Sequence, residues 1–564
     1  MRKILIFLVV LCLSGCNPFG QRETTVVETK EINSTNYEIN KNGSDFGYIK
    51  AVHYFGSEWP INFWSSELYD VEKDMKQIKE DGFNSIVLVI PWGEFQPKLE
   101  PIKYNTEVIS KLQYLIEEAE KKGLNVLLRL GYAWDFDPEV QMPNIERLRA
   151  LYTDPKVYNA WLSYLEKINQ VTTEYQNVLF GFLTWEDFWN VVEEASNLDT
   201  LEERIAISNS LNFSSFLKGK YSLEELSEIY GQEIHSWEEV PVPEREKEAF
   251  ELYYQFIDEL LVEKFYKPAQ NKFPKLSMEV RVDSDPVYLA GNEIEWYSHK
   301  ATFDLPNSEY ITTYYSPAMG ALNEGDETSA SEALKRQEIL FADIKSFSNN
   351  KKIFVDQFLY TDNTPEFARN TKVKRDELDD FIRGASEILG KYTNGYGLWV
   401  YKDYAANMLY NSQFEVGMKG WEVNRGDVEI LEINGDNALV LKNQGSITQF
   451  FVKEGDFYRK FSKTIKIWFN ANAIDNPTNL TIKIGSITYN KKINITNKMY
   501  KIEIPIEQID NYNLSFEVED GTVAIDDIKL FSFVQEANIY TLTGEKGKLL
   551  KSIQDLNKKL PEYN

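Results

Sequence analysis

From Gly47 to about Tyr401 the chain alternates eight times between a short apolar run and a longer amphipathic stretch. The apolar runs predict strands over Tyr48 to Phe55, Ser85 to Pro91, Asn125 to Leu130, Val178 to Thr184, Leu276 to Val282, Tyr310 to Tyr314, Lys352 to Asp356 and Gly397 to Tyr401. A run such as Ser85-Ile86-Val87-Leu88-Val89-Ile90-Pro91 has no polar face, as expected of a strand covered on both sides. Helical patterning fills the intervals at Ser65 to Asp81, Thr106 to Lys122, Asp154 to Tyr175, Glu332 to Ser346 and Arg375 to Leu389, with Gly82 and Gly123 as stops to the first two. Residues 190–270 read as a long helical excursion after the fourth strand. Strand alternating with helix argues a parallel sheet, and eight units argue closure into a (β/α)8 TIM barrel. An open doubly wound sheet is the alternative, but no Gly-rich phosphate loop follows the first strand.

After Met408 the helical period disappears. Short alternating segments follow at Asp427 to Ile433, Ala438 to Lys442, Thr464 to Phe469, Leu480 to Ile484, Tyr500 to Pro505 and Leu514 to Val518, punctuated by Asn, Gly and Asp. They predict an all-β sandwich. The resulting division is a barrel over 46–408, a sandwich over 409–534 and a tail over 535–564, the tail carrying a basic amphipathic helix from Lys546 to Leu560. Residues 17–45 are polar and aperiodic, and read as a flexible tether.

The first sixteen residues have the layout of an export signal. Arg2-Lys3 is followed by an apolar run from Ile4 to Leu13, too short to span a bilayer. Leu13-Ser14-Gly15-Cys16 resembles a bacterial lipobox, which implies cleavage before Cys16, a lipid on its thiol, and anchoring to the outer face of the cell membrane. Cys12 and Cys16 are the only cysteines, so the exported part has no disulfide and depends on its core. The net charge of −27 argues against a nucleic-acid partner, since no basic face would neutralise phosphates. Metal ligands are not signalled either: His53, His235 and His299 are the only histidines and form no close pair, and no cofactor motif is present.

Barrels of this class place their chemistry at the C-terminal ends of the strands. The fourth strand ends in Thr184-Trp185-Glu186-Asp187, and the seventh in Asp356-Gln357. Two carboxylates on different strand ends suit cleavage of a glycosidic bond. Glu186-Asp187 would equally serve to cap a following helix. Aromatic residues make up 14% of the chain, which suits sugar faces stacking on rings but also the packing of a large barrel core.

Three stretches carry a resemblance: Asp81-Gly82-Phe83-Asn84 with Ile90-Pro91-Trp92-Gly93-Glu94-Phe95-Gln96-Pro97; Gly123 to Arg129; and Lys220 to Leu226 continuing through Tyr230-Gly231 to Glu239. Together they resemble the large clan of retaining (β/α)8 glycoside hydrolases and, loosely, the thermophile-type β-galactosidases within it. The resemblance implies an acid/base Glu at the end of strand four and a nucleophile Glu at the end of strand seven. Glu186 takes the first role, or Asp187 if the match shifts by one. Asp356 takes the second with a shorter arm, or Gln357 occupies that place and the nucleophile is lost. Glu279 is the reserve carboxylate, with Arg281 or Arg129 as its neutralising neighbour. Tyr314 or Tyr315, Trp399, Trp92, Trp134, Trp189 and His53 are the implied contacts to substrate, each also readable as a packing residue. Asn411 to Glu415, Gly420-Trp421 and Ile525 to Ile528 resemble a galactose-binding-like jelly roll. The expectation is a lipid-anchored hydrolase acting on a β-linked poly- or oligosaccharide. The alternative is an inactive barrel that binds glycan.

Overall fold

The computed structural model describes residues 47–561 other than 69, 133, 189–197, 281–285, 289–293, 318–326, 362–371, 434 and 453–462. Cys16 with its signal and tether, Trp189 and Arg281 lie outside the described residues.

Eight parallel strands form a closed barrel: β1 (Ile49–His53), β2 (Ser85–Pro91), β3 (Asn125–Tyr132), β4 (Val178–Thr184), β5 (Leu276–Val280), β6 (Tyr310–Tyr315), β7 (Lys352–Phe358) and β8 (Gly395–Leu398). Each pairs with its neighbours in chain order, and β8 closes onto β1 with Ile49 opposite Gly395 and Val52 opposite Leu398. A Cβ on Gly395 would lie 2.6 Å from that of Ile49, so glycine is what allows the closing strands to approach. β2 is buried at all seven positions, as its unbroken apolar run requires. β8 lies two residues earlier than its sequence pattern suggests, which puts Trp399 on the loop beyond it.

Around the barrel lie α1 (Val71–Glu80), α2 (Thr106–Lys121), α3 (Pro155–Thr172), α4 (Ala330–Phe347) and α5 (Leu378–Tyr392). α2 shows how sequence makes each of them. Asn105 caps it by accepting from the Glu107 and Val108 amides at 3.1 and 3.3 Å. Val108, Leu112, Leu115 and Ala119 then bury one face at helical spacing, and Gly123 leaves the turn with φ at +66°. Between β4 and β5 short helices occupy 201–270, two of them opened by capping boxes, Thr200 with Glu203 and Ser222 with Glu225.

Inside the barrel, side chains alternate inward and outward along each strand. The lower interior is apolar and includes Ala51, Leu127, Phe182 and Phe354. Two residues further along the same strands stand His53, Arg129, Thr184 and Asp356, and β5 adds Glu279 at this level, paired in register with Thr184 and Thr312. His53, Arg129, Glu279 and Asp356 are each at most 1% exposed. The barrel therefore changes from hydrocarbon to ionisable groups in one step, just beneath its C-terminal mouth.

The second domain is a curled antiparallel sheet: β9 (Glu422–Ile433), β10 (Asp436–Phe450), β11 (Thr464–Ala473), β12 (Thr478–Ile484), β13 (Ile487–Ile493), β14 (Lys498–Pro505), β15 (Asn513–Val518) and β16 (Thr522–Phe531). Their order is β13-β12-β15-β10-β16-β11-β14, with β9 on β10. β11 alternates buried and half-buried at every step, and its inward Ile465, Ile467, Phe469 and Ala471 join the domain core. The chain then returns to the barrel. α6 (Leu550–Lys559) buries Leu550, Ile553 and Leu556 in the barrel's own core cluster. Its Asn557 accepts from Tyr396 at 2.5 Å and from Lys50 at 2.7 Å, so this tail helix is tied to the bottoms of β8 and β1.

Candidate active site

Arg129 organises one side of the mouth. Its Nη2 donates to Glu186 Oε2 at 2.8 Å and to Thr184 Oγ1 at 3.3 Å, and lies 3.5 Å from Asp187 Oδ1. Burial alone would lower its pKa, but Asp187, Glu186 and Glu279 reverse that and hold it well above the ordinary value. Its guanidinium also sits 4.6 Å from the Tyr132 ring centre. Asp187 is 2% exposed and Glu279 fully buried, whereas the Glu186 side chain keeps 26% of its surface. Of the three carboxylates around Arg129, Glu186 is the one a ligand can reach.

Across the mouth stands β7. The register of β7 against β6 slips between Tyr314 and Tyr315, opposite Asp356 and Phe358, leaving Gln357 as the extra residue. Gln357 has φ at +47°, and its Nε2 lies 3.5 Å from Glu186 Oε2. Asp356 instead points into the barrel, fully buried, with Oδ1 3.0 Å from His53 Nε2. The other ring nitrogen of His53 is 3.2 Å from the Leu398 carbonyl. Both atoms facing the imidazole, a carboxylate and a carbonyl oxygen, are natural acceptors, so the ring stands between two groups to which it can donate. The group that faces Glu186 is thus an amide, and the nearby carboxylate is occupied one level below.

Aromatic rings line the β8 side. Trp399 is 4.8 Å from the His53 ring, 5.4 Å from Phe55 and 6.2 Å from Trp59, and the peptide that follows it is cis. Tyr314 stands inward on β6 in register with Asp356, and Trp134 is half-buried on the loop after β3. Two expected contacts are corrected. Trp92 is fully buried, its Nε1 donating to Gln96 at 2.7 Å beneath the Arg147 guanidinium, so it presents no face to a ligand. Tyr315 points outward, stacked 5.5 Å from Phe358 and packed on Phe341 of α4, because it follows the inward Tyr314 on a strand whose side chains alternate.

The sequence reading passed over Trp59, Phe55, Tyr132 and Tyr404, which complete the aromatic wall. Their position at or beyond the C-terminal ends of β1, β3 and β8 is the signal that could have found them. It also passed over Glu94, buried after β2 and accepting from the Phe136 and Asp137 amides at 3.1 and 2.9 Å. Burial, and then neighbouring Asp137, push its carboxyl up to about 8. Nor was a cation site expected. Among the described residues Glu67, Glu415 and Asp436 bring one carboxylate oxygen each within 4.8 Å of one another. Such all-oxygen donors suit a hard cation. Asp436 also adjoins Asp526, whose carboxyl burial and that neighbour push up to about 8.

No family model and no curated protein matches the chain. Among solved structures it is similar to the exo-β-1,4-mannosidase Op5Man5 from Opitutaceae bacterium strain TAV5, at 11% identity and a TM-score of 0.38, over 64% of this chain and 53% of that one. The match thus spans about half of the mannosidase's length. A GH5_18 protein from Bifidobacterium longum subsp. longum, solved in complex with Manβ1-4GlcNAc, is similar at 14% identity and a TM-score of 0.37, over 66% of this chain and 73% of that one. The β-glycosidase BGL167 is similar at 12% identity and a TM-score of 0.36, over 64% and 87% of the two chains. These likenesses are remote; what the site can do follows from its own geometry.

Proposed function

We propose that the protein is a glycoside hydrolase acting on a β-linked poly- or oligosaccharide, with Glu186 as the group that moves the proton. The observation that carries this reading is the position of Glu186: at the C-terminal end of β4, reachable, fixed by Arg129, and facing β7 across a mouth walled by aromatic rings. A carboxyl so placed can give a proton to a leaving oxygen and take one from water. Gln357 cannot form a covalent glycosyl ester, but its amide can hold a water or a sugar hydroxyl against Glu186. For Asp356 to attack an anomeric carbon, its contact with His53 would have to give way. Direct attack by a water held at Gln357 balances only if Glu186 first gives its proton to the leaving oxygen and then, as carboxylate, takes one from that water, a route that leaves the His53 contact of Asp356 intact.

The test is reducing-end release from a panel of β-glycans by wild type, Glu186→Gln, Asp356→Asn and Gln357→Ala. Loss of about 10²–10⁴-fold in Glu186→Gln is the size expected for a lost acid/base group. Activity in Asp356→Asn within a few-fold of wild type would separate water attack from a covalent Asp356 intermediate. Binding without release by the wild type would favour the second reading, an inactive glycan-binding barrel, for which the amide facing Glu186 is the specific observation.

We also infer that the protein is a bacterial lipoprotein, held by lipid on Cys16 at the outer face of the membrane. Support comes from Leu13-Ser14-Gly15-Cys16 after a charged and then apolar start. Cys16→Ser should release the protein from membranes and abolish incorporation of labelled fatty acid.

A further inference from the structure

A second cleft, of about 400 Å³, opens between the loop after β1 and the sheet of the second domain. Its walls come from segments far apart in the chain: Tyr54 to Glu58, Lys402 beyond β8, Trp468 on β11, Asp527 and Lys529 on β16, and Tyr540 in the tail. It is a different space from the mouth. Phe55 belongs to both, since it lines the cleft and lies 5.4 Å from the Trp399 ring.

The polar groups of this cleft are built in rather than strewn on a surface. Glu58 and Lys529 are 6% and 7% exposed, and their side chains are joined in an ion pair. Asp527 Oδ1 lies 3.2 Å from Lys529 Nζ and accepts from Gln413 Nε2 at 3.2 Å. Glu58 Oε1 meets Lys529, but Oε2 is buried with no hydrogen-bond partner. Burial raises this carboxyl's pKa against the pull of Lys529, so the site bears a cost that a donor to Oε2 would remove. Beside these groups the indole of Trp468 lines the cleft half-buried, edge-on at 5.1 Å to Phe531, with Lys501 Nζ 3.8 Å from its ring centre and so covering one face.

The chemistry selects the ligand. A sugar hydroxyl donates and accepts at once, and so needs an acceptor beside a donor, as Glu58 and Asp527 stand beside Lys529 and Gln413. A ring face next to such a cluster is the other half of a saccharide site. A phosphate is disfavoured because the buried Lys529 is already neutralised by Glu58 and the half-buried Lys402 by Asp74 at 2.6 Å. We propose that this cleft is a saccharide-binding site, separate from the mouth, that takes a short stretch of the same β-glycan. The identity of the ligand rests on the glycan reading above, while the existence of the site does not. With a wall shared at Phe55, one chain held here raises the effective concentration of its remainder at the mouth.

The test is calorimetry on the full chain carrying Glu186→Gln, so that nothing is cut, against cellotriose, β-1,4-mannotriose, xylotriose and laminaritriose. The same background also carries Trp468→Ala, Glu58→Gln or Gln357→Ala. At least one trisaccharide is expected to bind, with affinity falling roughly tenfold or more in Trp468→Ala and measurably in the near-isosteric Glu58→Gln. Gln357→Ala should leave that binding in place. Binding unchanged in both cleft variants, binding lost only in Gln357→Ala, or no trisaccharide bound at millimolar concentration would each overturn the proposal. Melting curves of both cleft variants establish that they are folded. If the wild type releases no sugar yet binding depends on Trp468, the hydrolase reading fails and this site stands.

Discussion

The two sides of the mouth handle buried charge in opposite ways. On the β3–β4 side one permanent cation, Arg129, serves three carboxylates, and the arrangement leaves Glu186 reachable. On the β7 side a single carboxylate, Asp356, is matched to His53, a partner that can hold or give up a proton, and both are sealed from solvent. The first side works only while Arg129 stays charged. The second encloses both partners inside the barrel. A carboxylate at a strand end is therefore not yet a catalytic carboxylate: what it pairs with, and at which level, decides whether it can act on anything outside.

Removing the cation should have the largest effect. Arg129→Leu takes away the charge shared by Asp187 and Glu279, 2% and 0% exposed, and the expected cost is about 3–5 kcal/mol in a urea melt. A loss below about 1 kcal/mol would mean that the carboxylates find other support, and the contrast between the two sides would collapse.

Glu94 sharpens the contrast because it is a buried carboxyl held by two backbone amides and, among the described residues, by no ion pair. Its pKa is about 8 in the fold against a reference of 4.5. Because the folded value is raised, the folded state binds the proton more tightly than the unfolded chain does. The stabilisation is complete below the lower value, shrinks as pH rises by up to about 1.4 kcal/mol per unit, and is gone above the higher one. Glu94→Gln keeps an oxygen for the Phe136 and Asp137 amides and should flatten the pH profile of stability across that window. A variant profile as steep as wild type would place the titration elsewhere. Asp356→Asn should cost less, about 1–2 kcal/mol in the same melt, since the amide can still donate to a neutral His53. A cost as large as that of Arg129→Leu would show the dyad to be a fixed ion pair.

The barrel itself was legible, because runs like Ser85 to Pro91 and stops like Gly82 and Gly123 are local signals with one structural answer. The place of Glu186 at the mouth was legible for the same reason, as the first carboxylate past an apolar run. The β7 end was not. Asp356 and Gln357 are adjacent, and which of them faces the mouth depends on a one-residue slip against β6 that leaves no mark in composition or period. Trp92 misled for a related reason. Its place after β2 suggests exposure, but Arg147, fifty-five residues further on, folds over it. The tail helix was visible as an amphipathic pattern, while its attachment to Lys50 and Tyr396 is a contact across more than 150 residues that pattern alone cannot supply.

The smallest expected effect bears most directly on that slip. Gln357 holds φ at +47°, where a side chain with a Cβ is strained by about 1 kcal/mol and glycine is not. Its return is one contact to Glu186 at 3.5 Å, the outer limit of a hydrogen bond. If the strain is maintained for function, Gln357→Gly should change stability by no more than about 1 kcal/mol, in the stabilising direction, while lowering kcat/KM on any glycan the wild type cuts. Stability and turnover would then move in opposite senses, which simple loss of packing cannot produce. A destabilised variant with unchanged turnover would instead make Gln357 a structural wedge, and would leave Glu186 to work without a partner from β7.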